Sequence, residues 1–114
     1  GKSTLFLQIL HHLAERELRV LYVSGEESPG QIRIRAERLG ALSDRLFVIF
    51  ETAYEVIEKT IQEMVPEIVV IDSIQTMHLG ELPSAPGSVG QIRETGGRFA
   101  RLSKTLGIPV FLIG

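Results

Sequence analysis

The sequence has no cysteine, which excludes a disulfide scaffold and a cysteine-ligated zinc site within these 114 residues. It also has no apolar run near the roughly 20 residues that a membrane-spanning helix needs. Neither sign of charge is in excess, because 12 lysines and arginines stand against 14 acidic residues and leave a formal net charge of -2. This balance argues against a uniformly basic domain that coats nucleic acid, although it leaves room for a local basic patch.

The composition that remains indicates one folded unit. Hydrophobic residues make up 44% of the chain, which is too apolar for a disordered segment, and the length suffices for one core rather than two. Continuously apolar runs alternate with amphipathic segments, a pattern typical of an α/β fold with a mainly parallel sheet and helices on both faces. The predicted strands are 20–23, 46–50, 68–72 and 108–114, and the predicted helices are 3–16, 28–39, 54–64 and 91–106.

The first four residues, Gly1, Lys2, Ser3 and Thr4, match the second half of the phosphate-binding pattern G-x-x-x-x-G-K-[ST]. Glycine lets the backbone approach a phosphate, and the N–H groups of the first helical turn point at the anion. Lys2 would reach the phosphate oxygens, the Ser3 hydroxyl would bind Mg²⁺, and Thr4 would add a hydrogen bond to phosphate. The same four residues also occur in ordinary solvated turns, so the motif alone leaves both interpretations open.

Asp72 ends a predicted strand in which the four preceding residues are all β-branched. A buried carboxylate needs a cation or hydrogen-bond donors, and nucleotide hydrolases place the acid that holds the water of Mg²⁺ at such a strand end. The alternative is an aspartate that caps the turn beginning at Ser73. Considered together with the phosphate-binding motif, Asp72 is more consistent with the metal role than with the capping role.

Glu26 and Glu27 follow the strand predicted over 20–23. Ligands of open parallel sheets gather beyond the carboxyl ends of the strands. A glutamate there can orient and deprotonate the water that attacks a γ-phosphate. Two adjacent acids cannot both face the phosphate, so we expect one of them to be a solvated loop acid, and the spacing does not say which.

Together these stretches resemble the RecA-like ATPase core of the RadA (Sms) family of bacterial DNA repair proteins. The resemblance covers the chain in order, and the run from Tyr22 to Ser28 is its most specific part. Looser similarity extends to RecA recombinase, the replicative helicase and the circadian clock ATPase. The residues that carry the resemblance are 1–5, 21–28, 69–76 and 84–89.

The resemblance implies a P-loop NTPase domain over 1–114 that binds ATP and Mg²⁺. Its implied catalytic residues are Glu26 and Lys2, with Glu27 as the second choice for the base, and its implied metal-binding residues are Ser3 and Asp72. The chain begins within the phosphate-binding loop and ends within a core strand, so we expect a segment of a longer protein, with the first strand missing and no activity by itself.

The family also implies a function, in which DNA-stimulated ATP hydrolysis drives branch migration of recombination intermediates. We expect a cytoplasmic homohexamer that contacts single-stranded or branched DNA and a recombinase, away from membranes, with zinc only in a separate N-terminal module. The alternatives are a clock-type or other RecA-like regulatory ATP-binding switch that moves no DNA, and a non-catalytic interaction module.

The stretch 79–90 corresponds in position to the first DNA-facing loop of RecA-type proteins, but it holds no lysine or arginine. Phosphate neutralisation needs cations, so the candidates lie on the following helix. They are Arg93, Arg98, Arg101 and Lys104. The alternative, which the sequence alone favours, is that they form the solvated face of an amphipathic helix.

The remaining polar and aromatic residues have simpler interpretations. The arginines at 33, 35 and 38 indicate a solvated face or a subunit contact. No histidine has metal-ligand spacing, and Tyr22 and Tyr54 are expected in or near the core. Gly96 and Gly97 inside a predicted helix cost about 1 kcal/mol each relative to alanine, and they indicate a close helix–sheet contact, a local distortion or a divergent subgroup of the family.

Overall fold

The structure, a computed structural model, describes residues 16, 18–38, 40 and 44–114. The helix predicted over 3–16 therefore lies outside the described residues except for its last position. The described strands are β1 (Val20–Ser24), β2 (Leu46–Phe50), β3 (Ile68–Asp72) and β4 (Val110–Ile113), and the described helices are α1 (Pro29–Arg38), α2 (Tyr54–Met64) and α3 (Val89–Leu106), with a 3₁₀ turn at Ile74–Thr76.

The four described strands form one parallel sheet in the order β2-β1-β3-β4. In this sheet Val20 pairs with Leu46 on one side and with Ile68 on the other, and Ser24 pairs with Phe50 and Asp72. The parallel sheet predicted from the continuously apolar strands is confirmed. Because β1, β2 and β3 end level with one another, the segments that follow them leave the same edge of the sheet.

Two hydrophobic cores lie on opposite faces of this sheet. Leu21 and Val23 of β1 pack with residues of α2 and α3, whereas Val20 and Tyr22 pack with Ile32 of α1. Successive side chains of a strand point to opposite faces, so a strand whose residues are all buried needs cover on both sides. The prediction of helices on both faces is confirmed. None of the described helices has the length and hydrophobicity that crossing a bilayer requires.

The helix ends follow local capping chemistry. Helix α2 has the predicted bounds. The Glu51 carboxylate accepts from the N–H groups of Thr52 and Ala53 at 3.0 and 3.2 Å and so holds the turn before the helix, and Val65 closes the helix at a φ of 49° before Pro66. Helix α3 begins at Val89 rather than at Gln91. Its start is earlier because the Ser88 hydroxyl accepts from the Gln91 N–H at 3.3 Å and caps the first turn.

The double glycine at 96–97 lies within helix α3, which runs without interruption from Val89 to Leu106. A Cβ added at Gly96 or Gly97 meets no atom of the described residues within 4 Å. Among the described residues no close contact is made at these two glycines, and the helix is not distorted at them. Nothing in the described part of the chain explains the choice of glycine.

Strand β4 differs from the buried strand that its apolar sequence predicts. It pairs with β3, and no other strand pairs with it among the described residues. Phe111 and Leu112 consequently remain 46% and 39% exposed, although Ile113 is buried. The last strand is therefore the edge of the described sheet.

Gln91 fixes the segment between β3 and α3 to the core. It is 1% exposed, and its amide oxygen accepts from the Leu79 N–H at 2.9 Å. Its amide nitrogen donates to the carbonyl oxygens of Leu79 and Ser84 at 3.3 and 2.9 Å. One side chain thus satisfies three backbone groups at two separate points of the 79–90 segment.

We predict that Gln91→Ala lowers the free energy of unfolding by about 2–3 kcal/mol, because it leaves buried backbone groups without partners. Limited proteolysis should also cut the 79–90 segment faster. Urea denaturation measures the first effect, and the control is Gln62→Ala at an exposed position of α2, which should change stability by less than about 0.5 kcal/mol. Equal effects of the two substitutions would contradict the role given to Gln91.

Candidate active site

The register of β1 and β3 creates a polar edge at the carboxyl ends of the two strands. Ser24 and Asp72 are paired residues, and the Gly25 N–H donates to the Asp72 carbonyl oxygen at 2.8 Å, which extends the ladder by one residue. A Cβ at position 25 would lie 1.9 Å from the Thr76 hydroxyl oxygen. Glycine is therefore required where the chain turns from β1 toward Glu26.

Glu26 lies beside the end of β3. The Ser24 hydroxyl accepts from the backbone N–H of Glu27 at 2.9 Å and from that of Glu26 at 3.4 Å, which holds the turn after β1. The Ser73 hydroxyl then donates to Glu26 Oε1 at 3.1 Å. The carboxylate of Glu26 is thus tied to the residue that follows Asp72, and the residue itself is exposed.

Glu27 takes a different partner. Its carboxylate forms an ion pair with the guanidinium of Arg35 on α1. The two adjacent glutamates therefore diverge, with Glu27 held toward α1 and Glu26 held toward β3. Arg35, for which the sequence left a solvated face or a subunit contact open, is the partner of Glu27.

Asp72 is 8% exposed, and the hydroxyl of Tyr22 donates to its Oδ2. Tyr22 is fully buried in the middle of β1. The sequence places Tyr22 in the core but does not reveal this contact. The strand register explains the contact. Tyr22 is opposite Val70, so Asp72 is its diagonal neighbour on the same face, within reach of an aromatic side chain.

The peptide bond between Asp72 and Ser73 is cis.

The oxygen donors at this edge fit a magnesium ion, which prefers carboxylate and hydroxyl oxygens. Within 18–38 and 44–114, no three His, Asp or Glu side chains gather closely enough to hold a metal by themselves. An ion at Asp72 would therefore take its other ligands elsewhere, from residues such as Ser3 and from substrate phosphates. Magnesium sites of nucleotide enzymes are commonly completed in this way.

The predicted phosphate-binding residues Gly1, Lys2, Ser3 and Thr4 lie outside the described residues. Their position relative to Asp72 and Glu26 stays a prediction. The structure therefore brings together two of the predicted site residues, Glu26 and Asp72, and adds Ser24, Ser73 and Tyr22 to them.

The four cations of α3 fall into two groups. Arg98 and Arg101 line a groove of about 430 Å³ between α2 and α3, where Arg98 also forms an ion pair with Glu81. Arg93 and Lys104 are exposed and do not line this groove. Two of the four side chains therefore line the groove and two lie outside it, and their role in binding DNA stays a prediction.

Tyr54 lies at the floor of the same groove. Its hydroxyl donates to Glu58 at 2.9 Å and its ring packs edge-to-face on Phe99. Burial first, and then the hydrogen bond to the Glu58 carboxylate, raise the pKa of Tyr54 above its ordinary value. The phenol therefore stays protonated, and stays a donor, throughout the physiological pH range.

The described parallel sheet with helices on both faces is consistent with part of a RecA-like α/β domain of the P-loop class, and a family match supports this class. A sequence profile described as AAA domain matches residues 1–114, and the chain belongs to this family. It is 54% identical to DNA repair protein RadA of Halalkalibacterium halodurans, 49% identical to that of Bacillus subtilis and 46% identical to that of Escherichia coli.

Each of these matches covers 100% of this chain and 25% of the relative. The chain thus spans about a quarter of the length of the curated relatives that it matches. The predicted resemblance to the RadA family is confirmed by matches that run over the whole sequence, and with it the RecA-like class of the fold.

We predict that Gly25→Ala destabilises the protein by about 1–3 kcal/mol, because the new Cβ overlaps the Thr76 hydroxyl. Thr76 cannot turn away without losing its 2.7 Å bond to the Ser73 carbonyl oxygen. The matched control is Gly30→Ala on α1, where the nearest atom to an added Cβ is 3.9 Å away and a gain of about 0.5–1 kcal/mol is expected. Urea denaturation compares the two, and an unchanged midpoint for Gly25→Ala would refute the close approach.

Proposed function

We propose that this chain is the ATP-hydrolysing core of a longer DNA repair protein, in which DNA-stimulated hydrolysis drives branch migration of recombination intermediates. The family match and the whole-chain similarity to three DNA repair proteins named RadA support this proposal. The observation that carries it is that Glu26 and Asp72 lie at the same edge of the sheet, where the hydroxyl of Ser73, the residue after Asp72, donates to the Glu26 carboxylate.

In this proposal Gly1, Lys2, Ser3 and Thr4 bind the phosphates of ATP, and Ser3 and Asp72 hold Mg²⁺ or its water. The bound ion supplies neutralisation of the charge on the phosphate oxygens. Lys2 adds a second positive charge at the same phosphates. The carboxylate of Asp72 suits this role because it is nearly buried, oriented by a hydrogen bond and located at a strand end.

Glu26 is the proposed base. Its carboxylate is exposed at the sheet edge, so a water molecule has access to it, and the Ser73 hydroxyl limits its rotation. It would accept a proton from the water that attacks the γ-phosphate. Glu27 does not suit this role, because its carboxylate is engaged with Arg35.

We predict that Glu26→Gln in the full-length protein lowers the rate of ATP hydrolysis by about 10²–10⁴-fold while ATP binding is retained, since general base catalysis contributes about this factor. Glu27→Gln is the matched control and should keep the rate within about threefold. Lys2→Ala should abolish turnover. Steady-state hydrolysis and nucleotide-binding titrations measure both properties; a slow Glu27→Gln enzyme beside a normal Glu26→Gln enzyme would reverse the assignment.

The DNA contact of the proposal involves Arg93, Arg98, Arg101 and Lys104 of α3. The relatives are named as DNA repair proteins, which supports DNA as the partner. Exposure favours Arg93, Arg101 and Lys104, whereas Arg98 is half-buried and already has Glu81 as its partner. The same proposal includes a cytoplasmic hexamer and a recombinase partner, with zinc only in a separate module.

We predict that Arg93→Ala and Lys104→Ala each reduce the slope of log K against log salt for single-stranded DNA by about 0.7, the value for one lost phosphate contact. Arg98→Ala should reduce it less. The control is Lys59→Ala on α2, an exposed cation next to Glu63, which should leave the slope unchanged. Absence of salt-dependent DNA binding by the wild-type protein would instead favour a regulatory ATP-binding switch.

A further inference from the structure

The phenol side chain of Tyr22 contacts Asp72, a residue of the proposed metal site. Tyr22 is fully buried in the centre of β1, with its ring in the core between the sheet and α1. Its hydroxyl extends from that core to Oδ2 of Asp72. The contact joins the two neighbouring strands on the face where Asp72 emerges.

Packing of the core does not by itself require the hydroxyl of Tyr22. A phenylalanine would fill nearly the same volume, and a hydroxyl that leaves water costs free energy unless it finds a partner. In this protein the partner is the carboxylate at the end of β3. The hydroxyl of Tyr22 therefore acts on the carboxylate of Asp72.

The contact acts on orientation. A hydrogen bond to Oδ2 restricts rotation about the Cβ–Cγ bond of Asp72, and it thereby sets the plane in which both carboxylate oxygens lie. A phenol carries no charge, so it orients the carboxylate without cancelling the negative charge that a cation needs. An arginine or lysine in the same place would supply a competing positive charge.

We propose that Tyr22 is a positioning residue for Mg²⁺, which holds the Asp72 carboxylate in the orientation that binds the ion or its water. This inference rests on the proposed function, because it requires Asp72 to serve the metal. Residues that hold a metal-binding carboxylate in place typically contribute 10–100-fold to metal affinity or activity.

The test is Tyr22→Phe in the full-length protein, with Tyr54→Phe as the matched control. Tyr54 is also a buried tyrosine that donates to a carboxylate, but it does so at Glu58 in the groove between α2 and α3. The probe is Mn²⁺ bound together with a non-hydrolysable ATP analogue, measured by electron paramagnetic resonance. A parallel titration gives the Mg²⁺ concentration for half-maximal hydrolysis.

Tyr22→Phe should weaken Mn²⁺ binding by about 10-fold and raise the required Mg²⁺ concentration by a similar factor. Nucleotide binding without a divalent ion should not change, and Tyr54→Phe should behave as the wild type in both titrations. A substitution that only loosens the core would weaken nucleotide binding with and without metal alike, and this result would overturn the inference.

The Asp72→Asn variant distinguishes a failure of the inference about Tyr22 from a failure of the proposed metal role of Asp72. If Asp72→Asn binds Mn²⁺ as the wild type does, the metal role of Asp72 is wrong. If Asp72→Asn loses Mn²⁺ and Tyr22→Phe does not, the inference about Tyr22 alone is wrong. A Tyr22→Phe protein that cannot fold would show that the hydroxyl serves the stability of the core, and would also overturn the inference.

Discussion

The parallel pairing of β1 with β3 is the constraint on which the candidate site depends. Ser24 lies opposite Asp72 in this register, so the turn after β1 and the turn after β3 start from the same level. The Gly25 N–H bond to the Asp72 carbonyl oxygen and the Ser73 bond to Glu26 both require that alignment. A shift by one residue would turn Asp72 to the opposite face of the sheet and separate it from Tyr22. The apolar residues that fix the register for packing therefore also fix the geometry of the acids.

Alternation along β1 divides the strand between the two cores and the site. Leu21 and Val23 face α2 and α3, whereas Tyr22 and Ser24 face α1. Asp72 lies on the face of Tyr22, and this explains why a residue of the core can reach a residue of the site. The exposed end of the site begins only where the strand ends, at Gly25, whose missing Cβ makes room for Thr76. Residues of the core and residues of the site thus follow one another along β1. The packing of the core residues limits the movement of the site residues.

The sequence predicts the elements better than it predicts their partners. Continuous apolar runs and helix-ending residues gave β3 and α2 their correct bounds, because both signals are local. The divergence of Glu26 and Glu27 depends on Arg35, which only the turn into α1 brings to Glu27. The contact of Tyr22 with Asp72 joins residues 50 positions apart, and it follows from a register that single-strand patterns do not contain. The exposure of Phe111 in the described sheet likewise depends on which strands lie beside β4, and an apolar run does not contain that information.

The acids of this domain differ in the kind of partner that holds them. Glu27 and Glu81 are paired with Arg35 and Arg98, so a cation of the same chain offsets their charge. Glu26 accepts a hydrogen bond from the hydroxyl of Ser73, and Asp72 accepts one from the hydroxyl of Tyr22. A hydroxyl orients a carboxylate but leaves its charge available to a proton or to a cation, whereas an arginine competes for that charge. Under the proposed function, the Ser73 hydroxyl orients Glu26 for chemistry, whereas Arg35 engages the carboxylate of the adjacent Glu27. The distinction rests on the type of donor that each carboxylate meets, which explains how adjacent glutamates of identical chemistry acquire different roles.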